Sequence, residues 1–289
     1  MRATTHDPLT GEAVLPDTEN AKNATYTHPL VARRARVETV TRISERMVRI
    51  RFTGEDFASL RTVAPEDHVK VFFDRDPEGN PVLPEVADDR WTGGRALTSR
   101  DYTIRHANAA ERWIELDFVL HDHGVAGRWA GTARPGDEVA MLGPRGSFRV
   151  KDVFDWYVLA ADETALPALA RWVSTLRPEA RVLAFVEVQD AKDEIPLDSP
   201  ANVEVTWLHR GDAAPGTTDL LERAVRGVDL PAGDGFVWVA GESLSIKPLR
   251  RYLRHEAGLD RDDHDVDGYW RRGRADHDHH HDGDEDSAG

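Results

Sequence analysis

The chain contains no cysteine. A disulfide and a cysteine-ligated iron–sulfur cluster are therefore excluded, and any redox activity must rest on a non-covalently held cofactor such as a flavin. Nor is there an apolar run of about 18 residues, the length a helix needs to cross a bilayer, so membrane insertion is not expected. The stretch from Met1 to Asn23 is polar and lacks the charged-then-apolar pattern of a secretory signal, which predicts a cytoplasmic protein. Cations are in deficit: 37 Lys and Arg face 52 Asp and Glu, a formal net charge of −15. That balance argues against nucleic acid as the main partner, because phosphate binding needs a cationic surface. No internal repeat is visible. No Ser-His-Asp or Cys-His set suggests a covalent nucleophile. No exposed apolar helix face stands out, and the chain is read as a monomer.

What is present fits two domains in 289 residues, 40 % of them apolar or aromatic. Residues 1–30 carry Thr, Asn, Asp and Pro without periodicity and are read as a disordered arm. From 31 to 152 the pattern is short strands. Val48, Ile50 and Phe52 alternate with arginines; Ile114, Leu116, Phe118 and Leu120 alternate with Glu115, Asp117 and Val119. Such spacing predicts a closed antiparallel barrel. From 153 to 274 apolar runs such as Trp156 to Ala161 alternate with helical patterns, which predicts a parallel sheet with covered faces. In this stretch Ser243 is expected to cap a helix that Gly258 ends. The fold class expected is thus α+β with two domains, an antiparallel barrel followed by an α/β unit. Residues 275–289 form a His- and Asp-rich tail, expected to be disordered.

The segment Arg100-Asp101-Tyr102-Thr103-Ile104-Arg105 stands out. Its residue types suit a flavin. An isoalloxazine ring takes a flat aromatic partner such as Tyr102. Its N5 and O4 edge takes a small donor such as Thr103. Phosphates take the forked donors of Arg100 and Arg105. In an extended strand Arg100, Tyr102 and Ile104 point one way, and Thr103 and Arg105 the other. An ordinary barrel strand with surface arginines would show the same six residues. Further on, Gly124-Val125-Ala126-Gly127 opens a helix with small residues, which let backbone N–H groups approach a phosphate. A plain barrel-capping helix is the other reading.

With these segments in order, the chain resembles the siderophore-interacting protein family, a branch of the ferredoxin-reductase-like flavoreductases. The resemblance covers roughly residues 33–274. It rests on the Arg-x-Tyr-Thr-x-Arg segment and on Asp117-Phe118-Val119-Leu120-His121 with Gly124 to Ala130. It also rests on Ala161-Asp162-Glu163-Thr164-Ala165-Leu166-Pro167-Ala168, and on Gly241-Glu242-Ser243 with Gly268 to Gly273. The resemblance implies an FAD-dependent ferric-siderophore reductase that releases iron as Fe(II). It implies that Arg100, Tyr102, Thr103 and Arg105 hold the flavin ring and phosphates, and that Asp117, Val119 and His121 contact the ribityl and flavin edge. Val125, Ala126 and Gly127 would face the pyrophosphate, with Thr164, Tyr269 and Trp270 as further cofactor contacts. Val125 stands where the family often has proline, and Ala161 where a glycine is usual. A basic triad for the anionic ferric chelate falls on Lys70, Arg145 and Lys247. The chemistry is coherent: Fe(III) is a hard ion held tightly by oxygen donors and Fe(II) is held more weakly, so one electron loosens the complex.

The electron donor stays open between NADH, NADPH and a ferredoxin. The turn after the first parallel strand reads Ala161-Asp162-Glu163-Thr164, and its carboxylates would repel a pyrophosphate or simply cap the helix. Two other functions remain open. One is a general NAD(P)H:flavin or ferric reductase without siderophore preference. The other is a non-catalytic metal-binding protein acting through His277, His279, His280 and His281 in the tail.

Overall fold

The computed structural model describes residues 5–6, 13–14, 22–92, 97–122 and 124–274. The His/Asp tail and its four histidines lie outside the described residues. The chain divides into two compact units, Met1–Lys151 and Asp152–Gly289.

The first unit runs β1 (Thr5–His6), β2 (Ala13–Val14), β3 (Asn23–Thr27), β4 (Ala32–Arg42), β5 (Met47–Thr53), β6 (His68–Phe72), β7 (Val86–Ala87), β8 (Arg90–Trp91), β9 (Ser99–Asn108), β10 (Trp113–Val119), α1 (Val125–Thr132), β11 (Glu138–Leu142) and β12 (Gly146–Val150). Six of these close into an antiparallel barrel in the order β10-β5-β4-β11-β6-β9. Alternation decides what faces inward. Ile50, Phe52, Ile114, Leu116 and Phe118 are fully buried in the barrel core, with Val69, Val71, Ile104 and Met141. The intervening polar residues pair outside: the Arg49 fork meets both oxygens of Asp117 at 2.7 and 2.8 Å, and Arg51 meets Glu115 at 2.7 Å. Cross-strand pairs of opposite charge fix the register that the apolar face already demands.

Part of the expected arm is ordered. Asn23–Thr27 is strand β3, paired antiparallel with β12 from Thr27↔Gly146 to Asn23↔Val150. Its sequence, Asn-Ala-Thr-Tyr-Thr, carries no apolar alternation because backbone pairing with β12, not core burial, holds it. Strand β10 ends at Val119, two residues short of His121.

The second unit holds β13 (Trp156–Asp162), α2 (Leu166–Thr175), β14 (Arg181–Val188), β15 (Asn202–His209), α3 (Leu220–Arg226), β16 (Gly235–Glu242), α4 (Ser243–His255) and β17 (His264–Trp270). All five strands are parallel, in the order β15-β14-β13-β16-β17. One face packs Trp156, Val158, Val237 and Val239 beneath α3 and α4, whose Leu221, Val225, Ile246, Leu249 and Leu253 are buried. The cap of α4 is not Ser243. Glu242 caps it, its carboxylate accepting the N–H groups of Leu244 and Ser245 at 2.9 and 2.8 Å, and Ser243 is the first helical residue. The Ser243 hydroxyl instead donates to the Trp270 carbonyl at 3.0 Å.

The Trp156 indole lies flat on Gly235, where a Cβ would stand 2.0 Å from a ring carbon. Gly235→Ala should therefore force the indole aside and destabilise this unit by about 2–3 kcal/mol, read as a lowered urea midpoint with an unchanged slope.

Candidate functional site

The barrel site is built on β9, which is paired on both sides. Against β6, Tyr102 faces Val69, Asp101 faces Lys70 and Arg100 faces Val71. Against β10, pairing jumps from Ile104↔Leu116 to His106↔Glu115, so Arg105 is the extra residue of a β-bulge. The expected alternation therefore holds up to Ile104 and breaks there. Ile104 is buried in the core and Tyr102 leans on it, its ring 4.1 Å from Phe118. Thr103 is buried on the opposite side of the strand. Arg105 is buried and touches the His106 ring, whose other nitrogen lies 2.7 Å from Glu115. Burial, then the Arg105 charge, holds the His106 pKa below its ordinary value. Burial raises the Tyr102 phenol, with the Arg100 charge opposing it.

Three residues in this stretch keep unspent donors. Arg100 makes one side-chain hydrogen bond among the described residues, from Nη1 to the Ser99 carbonyl at 2.5 Å. The hydroxyls of Tyr102 and Thr103 make none with a described residue. Arg100 and Tyr102 are half-buried and Thr103 is buried, and a flavin with its phosphates offers acceptors to donors placed this way. By contrast Asp117 is committed to Arg49 and only 4 % of its side chain is exposed. Any ligand contact there must leave that pair in place.

The α1 start also fits a phosphate. Gly124 precedes it with φ of 79°, and no side chain among the described residues caps the helix. Ala126 and Gly127 are buried, and Val125 is half-buried. A Cβ on Gly127 would stand 2.7 Å from the His121 carbonyl and 2.8 Å from its ring. Gly127 is thus the seat on which His121 crosses the helix start. Val119, at the end of β10, is half-buried.

Of the expected basic triad, Lys70 and Arg145 lie near each other. Leu142, three residues before Arg145, is the β11 partner of Lys70. Both cations are engaged: Lys70 with Asp101 at 2.8 Å, and Arg145 with Asp89 and the His28 carbonyl. A half-exposed pair such as Lys70–Asp101 is worth about 0–1 kcal/mol, so an anionic ligand can take the lysine over at small cost. Lys247 is exposed on α4, in the other unit.

At the carboxyl ends of the parallel strands the residues are tied to one another. Asp162 accepts from Thr164 N–H at 2.9 Å, Thr164 hydroxyl at 2.6 Å and Trp270 Nε1 at 2.7 Å. Thr164 is therefore spent on Asp162. Tyr269 meets buried Trp238 edge-on at 6.5 Å. Glu163 takes both terminal nitrogens of Arg210 at 2.5 and 2.7 Å, and Glu187 takes the Thr218 hydroxyl at 2.7 Å. Sequence reasoning passed over Arg210. Its only signal is an arginine directly after an amphipathic strand. Burial, then the Asp162 charge, pushes the Glu163 carboxyl up to about 7, against Arg210. Burial also raises Asp162 and Glu187.

Two outcomes follow. Gly127→Ala should cost about 1–3 kcal/mol by displacing His121 and should lower FAD occupancy, checked by thermal unfolding and by the flavin-to-protein absorbance ratio. Because the folded Glu163 pKa is raised, its stabilising contribution is full below the unfolded value near 4.5 and is lost as pH rises through about 7. The stability of wild type relative to Glu163→Gln should therefore fall as pH rises across that window, measured by urea midpoints.

Both units are similar to known proteins. Residues 36–148 match the siderophore-interacting FAD-binding domain, and residues 154–273 match the siderophore-interacting protein family. Ferric vibriobactin reductase ViuB of Vibrio cholerae is 30 % identical over 245 residues, 82 % of this chain and 89 % of its own length. The NADPH-dependent ferric-chelate reductase of Escherichia coli is 33 % identical over 222 residues, covering 75 % and 84 %. The crystal structure of a siderophore utilization protein from T. fusca superposes with a TM-score of 0.85 at 48 % identity, over 89 % of this chain and 99 % of that one. With both of its units matched, the chain belongs to the siderophore-interacting protein family.

Proposed function

We propose that this protein is an FAD-dependent ferric-siderophore reductase that releases iron as Fe(II). The observations that carry this reading are the side-chain donors of Arg100, Tyr102 and Thr103 left over by the described residues and, in the same unit, the start of α1, which no described side chain caps. Family membership and two relatives named as ferric reductases support it. Bound FAD would supply the redox chemistry, the conversion of a two-electron hydride donor into single electrons for ferric iron.

The chain's own residues bind and orient. Arg100 and the N–H groups of Val125, Ala126 and Gly127 take the phosphates. Tyr102 offers its ring, and Thr103 a donor to the flavin edge. Val119 and His121 line the ribityl chain. Arg105, buried by the bulge, and Asp117, clamped by Arg49, hold that wall in place. Lys70 and Arg145 exchange their carboxylate partners for the anionic ferric chelate. No hydrolysis of the chelator is needed, since reduction alone weakens oxygen ligation. The donor is a pyridine nucleotide, in line with the NADPH-dependent relative.

Under nitrogen, NADPH should bleach the flavin bands, and ferric siderophore should restore them as a ferrous trap colours. Arg100→Ala should lose bound FAD and at least about tenfold of this rate, the cost of one charge-assisted contact. Bleaching only by reduced ferredoxin would move the donor. A rate that survives removal of all bound flavin would refute the reading.

A further inference from the structure

In an open parallel sheet a dinucleotide seats its pyrophosphate at the carboxyl ends of the strands, at the point where strand order reverses. Here that point lies between β13 and β16. A usual seat there offers bare backbone N–H groups at a helix start, a glycine for close approach, and often a cation. This chain has all three at this end, and carboxylates lie against the Thr164 N–H just before α2, the first N–H groups of α4, the glycine Gly241 and the cation Arg210, while the first turn of α2 itself has no side-chain cap among the described residues.

Asp162 ends β13 and is 6 % exposed. One oxygen accepts the Thr164 N–H and hydroxyl just before α2; the other accepts Trp270 Nε1. Across the reversal point stands Gly241 of β16, where a Cβ would come 2.8 Å from the same Asp162 oxygen that binds Trp270. The close approach that glycine permits is filled by the Asp162 carboxylate. Glu242, 2 % exposed, caps α4 through Leu244 and Ser245 and also accepts the Arg272 N–H at 3.0 Å. The Gly216 segment packs on it: a Cβ at Gly216 would lie 2.5 Å from the Glu242 side chain and 3.1 Å from the Trp270 ring. The nearby cation, Arg210, is held by both Glu163 oxygens.

We propose that Asp162, with Glu242, is a built-in anion that closes the strand-reversal crevice to a dinucleotide's pyrophosphate. Asp162 is thereby the residue that sets how weakly a pyridine nucleotide is held. This rests on the reductase reading. It adds that NADPH reaches the flavin without lodging its pyrophosphate on the α/β unit.

The test is equilibrium binding of NADP+ to the FAD-loaded protein by calorimetry. Asp162→Gly restores a bare turn and should tighten NADP+ binding at least about tenfold, with inorganic pyrophosphate competing in the variant but not in wild type. A folded Asp162→Gly protein with unchanged or weaker binding would overturn the proposal. Wild-type hydrogen exchange needs no variant. Saturating NADP+ should leave the amides of residues 162–168 and 242–246 unprotected beyond their resting level, and new protection there would equally overturn it. The half-reaction of dithionite-reduced flavin with ferric siderophore does not involve the nucleotide. Its failure would count against the reductase reading and leave this proposal separately decided.

Discussion

The barrel depends on β9 being held from both sides. Its pairing with β6 and β10 completes the closed circuit of six strands, so no residue of β9 can slide without moving Ile104 out of the core. Hydrogen-bond register here is also site geometry. It sets Tyr102 against Phe118, puts Thr103 on the other side, and leaves Arg100 at the near end with donors to spend. The bulge at Arg105 absorbs one residue. His106 thereby returns to the outer face opposite Glu115, and the Arg105 guanidinium reaches the His106 ring.

The α/β unit answers to a different constraint. Four carboxylates, Asp162, Glu163, Glu187 and Glu242, are buried at one end of its sheet. Burying a carboxylate is costly unless hydrogen bonds replace its water. Each finds its donors partly on distant segments: Trp270, Arg210, Thr218 and the Arg272 amide. The loops after β15 and β17 are thus tied to the ends of β13, β14 and β16. The lacing that satisfies these acids also uses the N–H groups and the cation a nucleotide phosphate would want. Stability and donor affinity are set by the same bonds.

Much of this was legible in the sequence where periodicity carried it. Ile50 and Phe52, Leu116 and Phe118, and the run from Trp156 to Ala161 declared their strands because core burial selects apolar residues at fixed spacing. Strand β3 was not legible, since Asn-Ala-Thr-Tyr-Thr is held by backbone pairing that any residues can make. The β9 motif named its chemistry, but the bulge that displaces Arg105 depends on the partner strand and leaves no local mark. The pairing of Lys70 with Asp101 and of Glu163 with Arg210 was likewise hidden, because ion pairs across strands join residues 31 and 47 positions apart. The choice of Glu242 over Ser243 as the cap of α4 follows from how the parallel strand hands over to the helix, which residue type alone does not reveal.

The central claim is that electrons pass from protein-bound FAD to iron still held by its chelator. A single-turnover experiment addresses it most directly. Fully reduced, FAD-loaded protein is mixed anaerobically with excess ferric siderophore and a ferrous trap, with no other donor present. The account predicts two ferrous ions per flavin, an intact siderophore afterwards, and flavin reoxidation at the same rate as ferrous iron appears. Reduced flavin that persists in the presence of ferric siderophore, or ferrous iron that appears only after the chelator is cleaved, would contradict it.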